Sequence, residues 1–258
     1  MNGYITVQEA AVKWGITPRQ VQILCKSNRI DGATRMSRIW IIPENAEKPT
    51  KERQRTAMTN LTELQNLVDR FHANIDFYKD ARNAYNEHSC RIEYIDPLLK
   101  LLGWDVANEK GLAPQYREVI AENYSTRTDR PDYTITLRGV PKFFVEAKKP
   151  AVDITRDADP AIQTRKYGWN AKHRLAVLTN FEYLAIYDTC HIAHEDDGCA
   201  VARYRLYHYT EYVEKIDEIV GLIARDTVYS GDFDAYLDAN FPATGGQTQQ
   251  VDTLFLSQ

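Results

Sequence analysis

The stretch from Arg130 to Lys148 constrains this chain more than any other. Tyr133-Thr134-Ile135-Thr136-Leu137 alternates and is rich in β-branched residues, Arg138-Gly139-Val140-Pro141 reads as a turn, and Lys142-Phe143-Phe144-Val145-Glu146-Ala147-Lys148 reads as a second strand. Together they predict a β-hairpin whose second strand is buried and ends in charge. Side chains alternate along a strand, so Glu146 and Lys148 share one face and Val145 and Ala147 the other. Asp132, just after Pro131, stands at the start of the partner strand, and pairing can bring it close to Glu146. Two such carboxylates repel unless a cation sits between them, and hard oxygen ligands suit Mg2+ or Mn2+. A lysine beside the metal can orient or deprotonate a water and neutralise charge developing on a phosphate. The plain alternative is a surface Glu–Lys pair. Spacing alone does not separate the two, and the buried strand context favours the site.

The chain has 258 residues, room for two domains, and its 43% hydrophobic and 26% charged residues describe a globular chain rather than a disordered one. No run of about 18 apolar residues occurs, so no segment is expected to span a bilayer. The N-terminus has no basic patch followed by an apolar core, which argues against a secretory signal. The four cysteines, Cys25, Cys90, Cys190 and Cys199, lie far apart with no Cys-x-x-Cys pair. That spacing gives neither a zinc site nor a disulfide framework and suits a reducing cytoplasm. The net charge of −4 hides an asymmetry: residues 1–56 hold ten Lys/Arg against five acids, a surplus of five, which leaves the remainder nine units negative. A basic first fifth on an acidic body suggests two modules with different partners.

The first module reads as a small DNA-binding unit. Thr6 and Glu9 form a capping box that starts a helix with Val7, Ala10, Ala11 and Trp14 on one apolar stripe, and Gly15 ends it. Thr17 opens a second helix, with Pro18 at its first position, Gln20 completing another capping box, and Val21, Leu24 and Cys25 buried. Two short helices joined by a Gly-containing turn are a helix-turn-helix unit. Ala33 to Arg38 reads as a hairpin or wing before the strand Ile39-Trp40-Ile41-Ile42-Pro43. Arg19, Gln20, Gln22 and Lys26 avoid the core stripe and can contact bases and phosphates of a major groove, with Arg35 and Arg38 on the wing at a backbone or minor groove. Residues 3–50 resemble the winged helix-turn-helix of the MerR and excisionase-like group, through Ile5-Thr6-Val7-x-Glu9-Ala10-Ala11, Arg29-Ile30-x-Gly32-Ala33 and Trp40-x-Ile42-Pro43.

Beyond residue 50 the polar stretch 51–60 reads as a linker. A long helix is expected to begin near Leu61, on the stripe Leu64, Val68, Phe71, Ile75 and Tyr78. A second covers about Ala84 to Leu102, with a possible kink at Pro97. A strand lies within Tyr116 to Tyr124. Gln163 and Tyr167 fall at i and i+4 of a helix and share a face. The strand Leu175–Thr179 that follows should pair in parallel through this crossover, with Tyr183–Asp188 beside it and Tyr204–Tyr209 as a further alternating strand, a candidate edge. Thr210 is expected to cap a helix carrying Tyr212, Val213, Ile216, Ile219, Val220 and Ile223. Of the six histidines, His191 and His194 suggest a metal pair at first sight, but without a third ligand they read as loop residues.

Several collinear stretches across about residues 85–230 resemble the PD-(D/E)xK nuclease superfamily, and more narrowly the nuclease module at the front of Type I motor subunits and of single-chain (Type IIG-like) restriction enzymes. They are Ile95-Asp96-Pro97-Leu98-Leu99-x-x-Leu102-Gly103-Trp104-Asp105-Val106, Arg130-Pro131-Asp132-Tyr133, Phe144-Val145-Glu146-Ala147-Lys148-Lys149-Pro150, Gln163-Thr164-Arg165-Lys166-Tyr167, and Leu178-Thr179-Asn180-Phe181 leading to Ile186-Tyr187-Asp188. The resemblance implies an α/β (α+β) chain with a restriction-endonuclease-like mixed central sheet flanked by helices, behind the winged helix-turn-helix. It implies that Asp132 and Glu146 hold Mg2+ or Mn2+, with the Ala147 carbonyl as a possible further ligand. Lys148 would serve the attacking water, and Gln163 and Tyr167 would support the lysine or contact the DNA backbone. Relatives also place an acid on the first nuclease helix before Arg-x-x-x-Ile: Glu87 fits, with Arg91 and Ile95 following, and Glu93 competes with it. The expected organisation is a DNA-binding module at 1–50, a linker at 51–60, a nuclease at 61–230 and a tail or start of a spacer at 231–258, where Leu254-Phe255-Leu256 would want a partner. The expected function is metal-dependent cleavage of double-stranded DNA in restriction–modification or anti-phage defence, alongside a methyltransferase or specificity module. The alternative is a non-catalytic DNA-binding regulator or scaffold with a nuclease-like domain.

Overall fold

A computed structural model of the protein describes residues 3–26, 30, 32–36, 39–46, 48, 51–121 and 130–241, with backbone alone for 36 and 51–59. The chain forms two compact units, residues 1–62 and 63–258. Arg38, residues 122–129 and the apolar segment 254–256 lie outside the described residues.

In the first unit, β1 (Tyr4–Thr6) leads into α1 (Val7–Trp14), then α2 (Pro18–Lys26), β2 (Thr34–Met36) and β3 (Ile39–Pro43). The Thr6–Glu9 capping box forms in both directions, and Gly15 closes α1 in the left-handed region at φ 64°. The three strands make one antiparallel sheet in the order β1-β3-β2. The helices bury Val7, Ala10, Ala11, Trp14, Val21 and Cys25 with Ile30 and Ile42. Strand β1 was not expected; at three residues it is too short to show alternation, and it forms by pairing Ile5 with Ile42.

The expected linker at 51–60 is instead helical. Helix α3 runs unbroken from Lys51 to Lys79. Polarity argues for exposure, not for coil, and Lys-Glu-Arg-Gln-Arg-Thr-Ala-Met contains mostly strong helix formers with no Gly or Pro.

The second unit is built on a six-stranded mixed sheet in the order β4-β5-β6-β7-β8-β9. Its strands are β4 (Val119–Ala121), β5 (Tyr133–Leu137), β6 (Val140–Ala147), β7 (Leu175–Thr179), β8 (Tyr183–Asp188) and β9 (Arg203–His208). The β5–β6 hairpin closes through Arg138 and Gly139, both at positive φ (52° and 81°), the conformation of a two-residue hairpin turn. Strands β6 and β7 pair in parallel across α6 (Ala158–Asn170), and the other pairs are antiparallel. All five residues of β7 are buried, as a strand covered on both faces requires. Phe143, Val145 and Ala147 join the main core with Leu64, Phe71, Tyr94, Leu98 and Phe233, whereas Leu178, Ala185 and Tyr187 pack with Ala161 of α6 on the opposite side. This is the mixed sheet flanked by helices that the resemblance implies.

Three helical expectations need correction. The span 84–102 is α4 (Glu87–Cys90), a π-helical turn (Arg91–Ile95) and α5 (Asp96–Leu101). Pro97 has no N–H to offer the Glu93 carbonyl four residues back. That carbonyl accepts from the Arg70 guanidinium instead, and the Asp96 N–H reaches five residues back to Arg91. The helix expected from Thr210 is a 3-10 turn at Tyr209–Glu211, capped by His208 and Glu211, and α7 begins only at Ile216 and runs to Ile223. Finally, the boundary expected at 230 cuts off α9 (Asp232–Asn240), which follows α8 (Arg225–Ser230). Phe233, Leu237 and Phe241 recur every fourth residue and sit in the main core. Among the described residues no helix is long and apolar enough to cross a membrane. All four cysteines are free.

Candidate active site

Hairpin register builds the site. Tyr133 pairs with Val145, so Asp132, one step before, lies beside the end of β6. Its Oδ2 accepts the Ala147 N–H at 2.8 Å. Ala147 thus meets Asp132 through its amide, while its side chain belongs to the core. Alternation turns Glu146 away from the Phe143–Val145–Ala147 face, yet it is only 3% exposed. Lys148 Nζ lies 2.5 Å from Glu146 Oε1 and 3.9 Å from Glu87 Oε2 on α4. Glu93 is elsewhere: it is exposed, and its Oε2 accepts from the Tyr85 hydroxyl at 3.3 Å.

The charges in this cluster perturb each other. Burial pushes the Glu146 carboxyl up to about 7; Asp132 and Glu87 push it the same way, and Lys148 opposes them. Burial also raises Glu87, with Asp132 adding to the effect and Lys148, Arg91 and Lys149 working against it. For Lys148 burial acts to lower the ammonium, but Glu146, Glu87 and Asp132 outweigh it and the net shift is upward. Glu146 Oε2 is buried with no hydrogen-bond partner. An orphaned carboxylate oxygen in a buried acidic cluster is costly, and it is the donor a hard cation takes. Asp132, Glu146 and Glu87 therefore fit a divalent metal in donor chemistry. Among the described residues, however, no three Asp, Glu, His or Cys side chains converge as a ready-made cage: the Lys148 ammonium reaches both Glu87 and Glu146, and Arg91 pairs with Asp132 Oδ1 at 3.0 Å.

Gln163 and Tyr167 share a face of α6, with Gln163 Nε2 donating to the Tyr167 hydroxyl at 2.9 Å. Both line a groove of about 1090 Å³ together with Arg130, Pro131, Lys166 and Asn170. Pro131, one residue before Asp132, is part of the groove lining, whereas Glu87, Asp132, Glu146 and Lys148 are not. In the first unit, Arg19, Gln22, Lys26 and Arg35 are exposed. Gln20 is exposed too, but its Oε1 is engaged by the Thr17 N–H at 2.9 Å and the Thr17 hydroxyl at 3.1 Å. Its carbonyl caps α2, which leaves only the amide nitrogen to face outward. His191 and His194 lie in an exposed loop pinned from beneath by Arg165, whose NH1 is 2.5 Å from Asp197 Oδ2. The sequence motif names Arg91 but gives it no role at Asp132, which the structure supplies. For Arg91 the usable signal was its place four residues after Glu87, which puts both on one helix face.

Residues 117–191 match the family model of the Type I restriction enzyme R protein N terminus. That segment carries Asp132, Glu146, Lys148, Gln163 and Tyr167, and ends short of α4 on its N-terminal side. The chain is 46% identical over 182 residues to the Type II restriction enzyme and methyltransferase RM.Eco57I of Escherichia coli, which covers 69% of this chain and 18% of that enzyme. The chain thus spans about a fifth of the length of the curated relative it matches. No solved structure matches it.

Proposed function

We propose that the second unit is a DNA endonuclease of restriction–modification type, dependent on Mg2+ or Mn2+, and that the basic first unit is a winged helix-turn-helix that holds the DNA. The observation that carries this reading is the convergence of Glu87, Asp132, Glu146 and Lys148 at one end of the sheet, with a buried Glu146 oxygen left unpartnered. The restriction-enzyme relatives support it. When bound by Asp132 and Glu146, a divalent cation supplies Lewis acidity toward a phosphoryl oxygen. Lys148, as an ammonium, orients the attacking water and offsets negative charge growing on the phosphate. Glu87 holds the lysine toward the site from the helix side. Gln163, Tyr167, Arg130 and Lys166 line the groove along which a DNA strand approaches.

The division of charge fits this reading. An acidic nuclease unit repels the phosphate backbone, so affinity comes from the basic unit, through Arg19, Gln22, Lys26 and Arg35. The Gln20 amide joins that surface; Arg38, outside the described residues, remains a candidate from the sequence alone. The methyltransferase in the relative's name supports a partnership with a methyltransferase or specificity module.

The test is cleavage of plasmid and phage DNA by the purified protein with Mg2+, with chelator as control. Wild type is expected to cut, and Glu146→Ala and Lys148→Ala to be inactive. Equal cutting by all three would remove the mechanism. DNA binding without cleavage or metal binding would instead support a scaffold, a reading favoured by the Lys148 and Arg91 cations already paired with the carboxylates.

A further inference from the structure

Arg91 is the most constrained cation near the carboxylate cluster. It is 8% exposed. Its NH1 donates to Asp132 Oδ1 at 3.0 Å, its Nε donates to the Tyr133 hydroxyl at 3.1 Å, and its NH2 reaches the Asp132 carbonyl at 3.4 Å. The Tyr133 hydroxyl, on a fully buried ring, donates in turn to Asp96 Oδ1 at 2.7 Å. The guanidinium also lies over the Tyr133 ring, 4.4 Å from its centre. The result is a chain from Asp96 through Tyr133 and Arg91 to Asp132. An ordinary buried ion pair needs only its two members. Here the cation is fixed from behind by two further residues, one on each neighbouring element.

The backbone explains how the chain of contacts is assembled. Pro97 forces the π turn at Arg91–Ile95, and Asp96 directly follows that turn. Asp132 and Tyr133 are consecutive at the mouth of β5. Arg91 therefore meets two adjacent residues with one planar fork, a task suited to guanidinium geometry. Asp132 Oδ2 is held by the Ala147 amide, so both oxygens have a defined partner while each keeps lone-pair capacity for a further ligand.

We infer that Arg91 is a positioning residue for Asp132, and that Tyr133 and Asp96 set its orientation. The inference rests on the metal-nuclease reading of the site. Outer partners that orient a ligating carboxylate commonly govern metal affinity, so the effect belongs on metal binding rather than on the rate at saturating metal.

Mn2+ binding to the full-length protein, followed by electron paramagnetic resonance, reads this directly. Tyr133→Phe deletes one hydroxyl and keeps the ring and all charges. It is expected to weaken Mn2+ binding about tenfold. The Mn2+ concentration for half-maximal cleavage should move by the same factor, with the saturated rate within about twofold of wild type. Asp96→Ala, at a partly exposed position off the main core, should give the same shift. Asp96→Asn keeps an acceptor for the tyrosine and should restore wild-type binding. The double variant Tyr133→Phe/Asp96→Ala should be no weaker than either single one, because the two residues act through one link. Wild-type Mn2+ affinity in Tyr133→Phe and Asp96→Ala, with Asp132→Ala unable to bind, would overturn the positioning role alone. Wild-type affinity in Asp132→Ala would overturn the metal-nuclease reading and this inference with it.

Discussion

Glu118, just before β4, and Glu146, near the end of β6, are 2% and 3% exposed, and both belong to the second unit. Glu118 receives Arg225 NH2 at 2.7 Å, Lys110 Nζ at 2.9 Å, the Tyr229 hydroxyl at 2.9 Å and the Asp105 N–H at 3.2 Å. Burial alone would raise its carboxyl, but Arg225, Lys110 and Tyr229 outweigh burial and bring it down to about 2. Glu146 has one ammonium on one oxygen and nothing on the other, and is pushed up to about 7. Similar exposure has opposite outcomes because Glu146 lies deeper and among other acids with a single ammonium, whereas Glu118 is surrounded by donors. A buried acid with surplus donors is a clasp, tying the β4 side of the sheet to α8. A buried acid left short of donors, among other acids, costs stability without securing the fold, as expected of the metal-ligand role proposed for Glu146.

The contrast breaks most visibly in activity. Glu146→Gln, close to isosteric, is expected to lower single-turnover cleavage about a thousandfold. Its melting temperature should stay level or rise, since a strained charge is removed. A melting temperature that fell as far as that of a Glu118 variant would erase the distinction. Glu118→Gln should do the reverse. It leaves Arg225 and Lys110 without their acid and is expected to cost about 3 kcal/mol in urea unfolding, with cleavage retained wherever the protein is folded.

Titration sharpens the same point. Glu118 falls from an ordinary 4.5 to about 2 on folding. As pH drops, the unfolded chain takes up that proton first. The stabilisation is therefore complete above 4.5 and is lost as pH falls towards 2, amounting to about 3 kcal/mol. Acid unfolding curves of wild type should show this slope and those of Glu118→Gln should lack it. The smallest effect is expected for Tyr229→Phe, which removes one of several donors and should cost about 1 kcal/mol while steepening nothing above pH 4.5. A loss as large as that of Glu118→Gln would mean that the tyrosine, not the pair of cations, sets the clasp.

Much of the candidate site was legible because its parts are local. Asp132, Glu146 and Lys148 sit on a hairpin whose alternation is visible in the sequence, although its register at the site is set by a bulge between Ile135 and Thr136 that the sequence does not announce. Gln163 and Tyr167 sit one helical turn apart. Thr6 with Glu9, and Thr17 with Gln20, formed the expected capping boxes for the same reason. What escaped depends on partners remote in sequence. The helix over 51–60 was hidden by a polar composition that helix and linker share. Helix α9 was hidden because its stripe of Phe233, Leu237 and Phe241 has meaning only against a core built by other segments.

The sequence by itself determined that a hairpin would carry a carboxylate before one strand and a carboxylate with a lysine at the end of the next; the one-residue bulge between Ile135 and Thr136, which puts Asp132 beside Glu146 rather than Val145, was decided by the fold. Only the tertiary structure decided that Glu87 and not Glu93 faces Lys148, that Arg91 grips Asp132, and that Glu118 is clasped while Glu146 is left short. Those outcomes depend on side chains brought together from distant segments, Glu87 and Arg91 from the helix before Pro97 and Arg225 and Tyr229 from α8, across separations that no local pattern encodes.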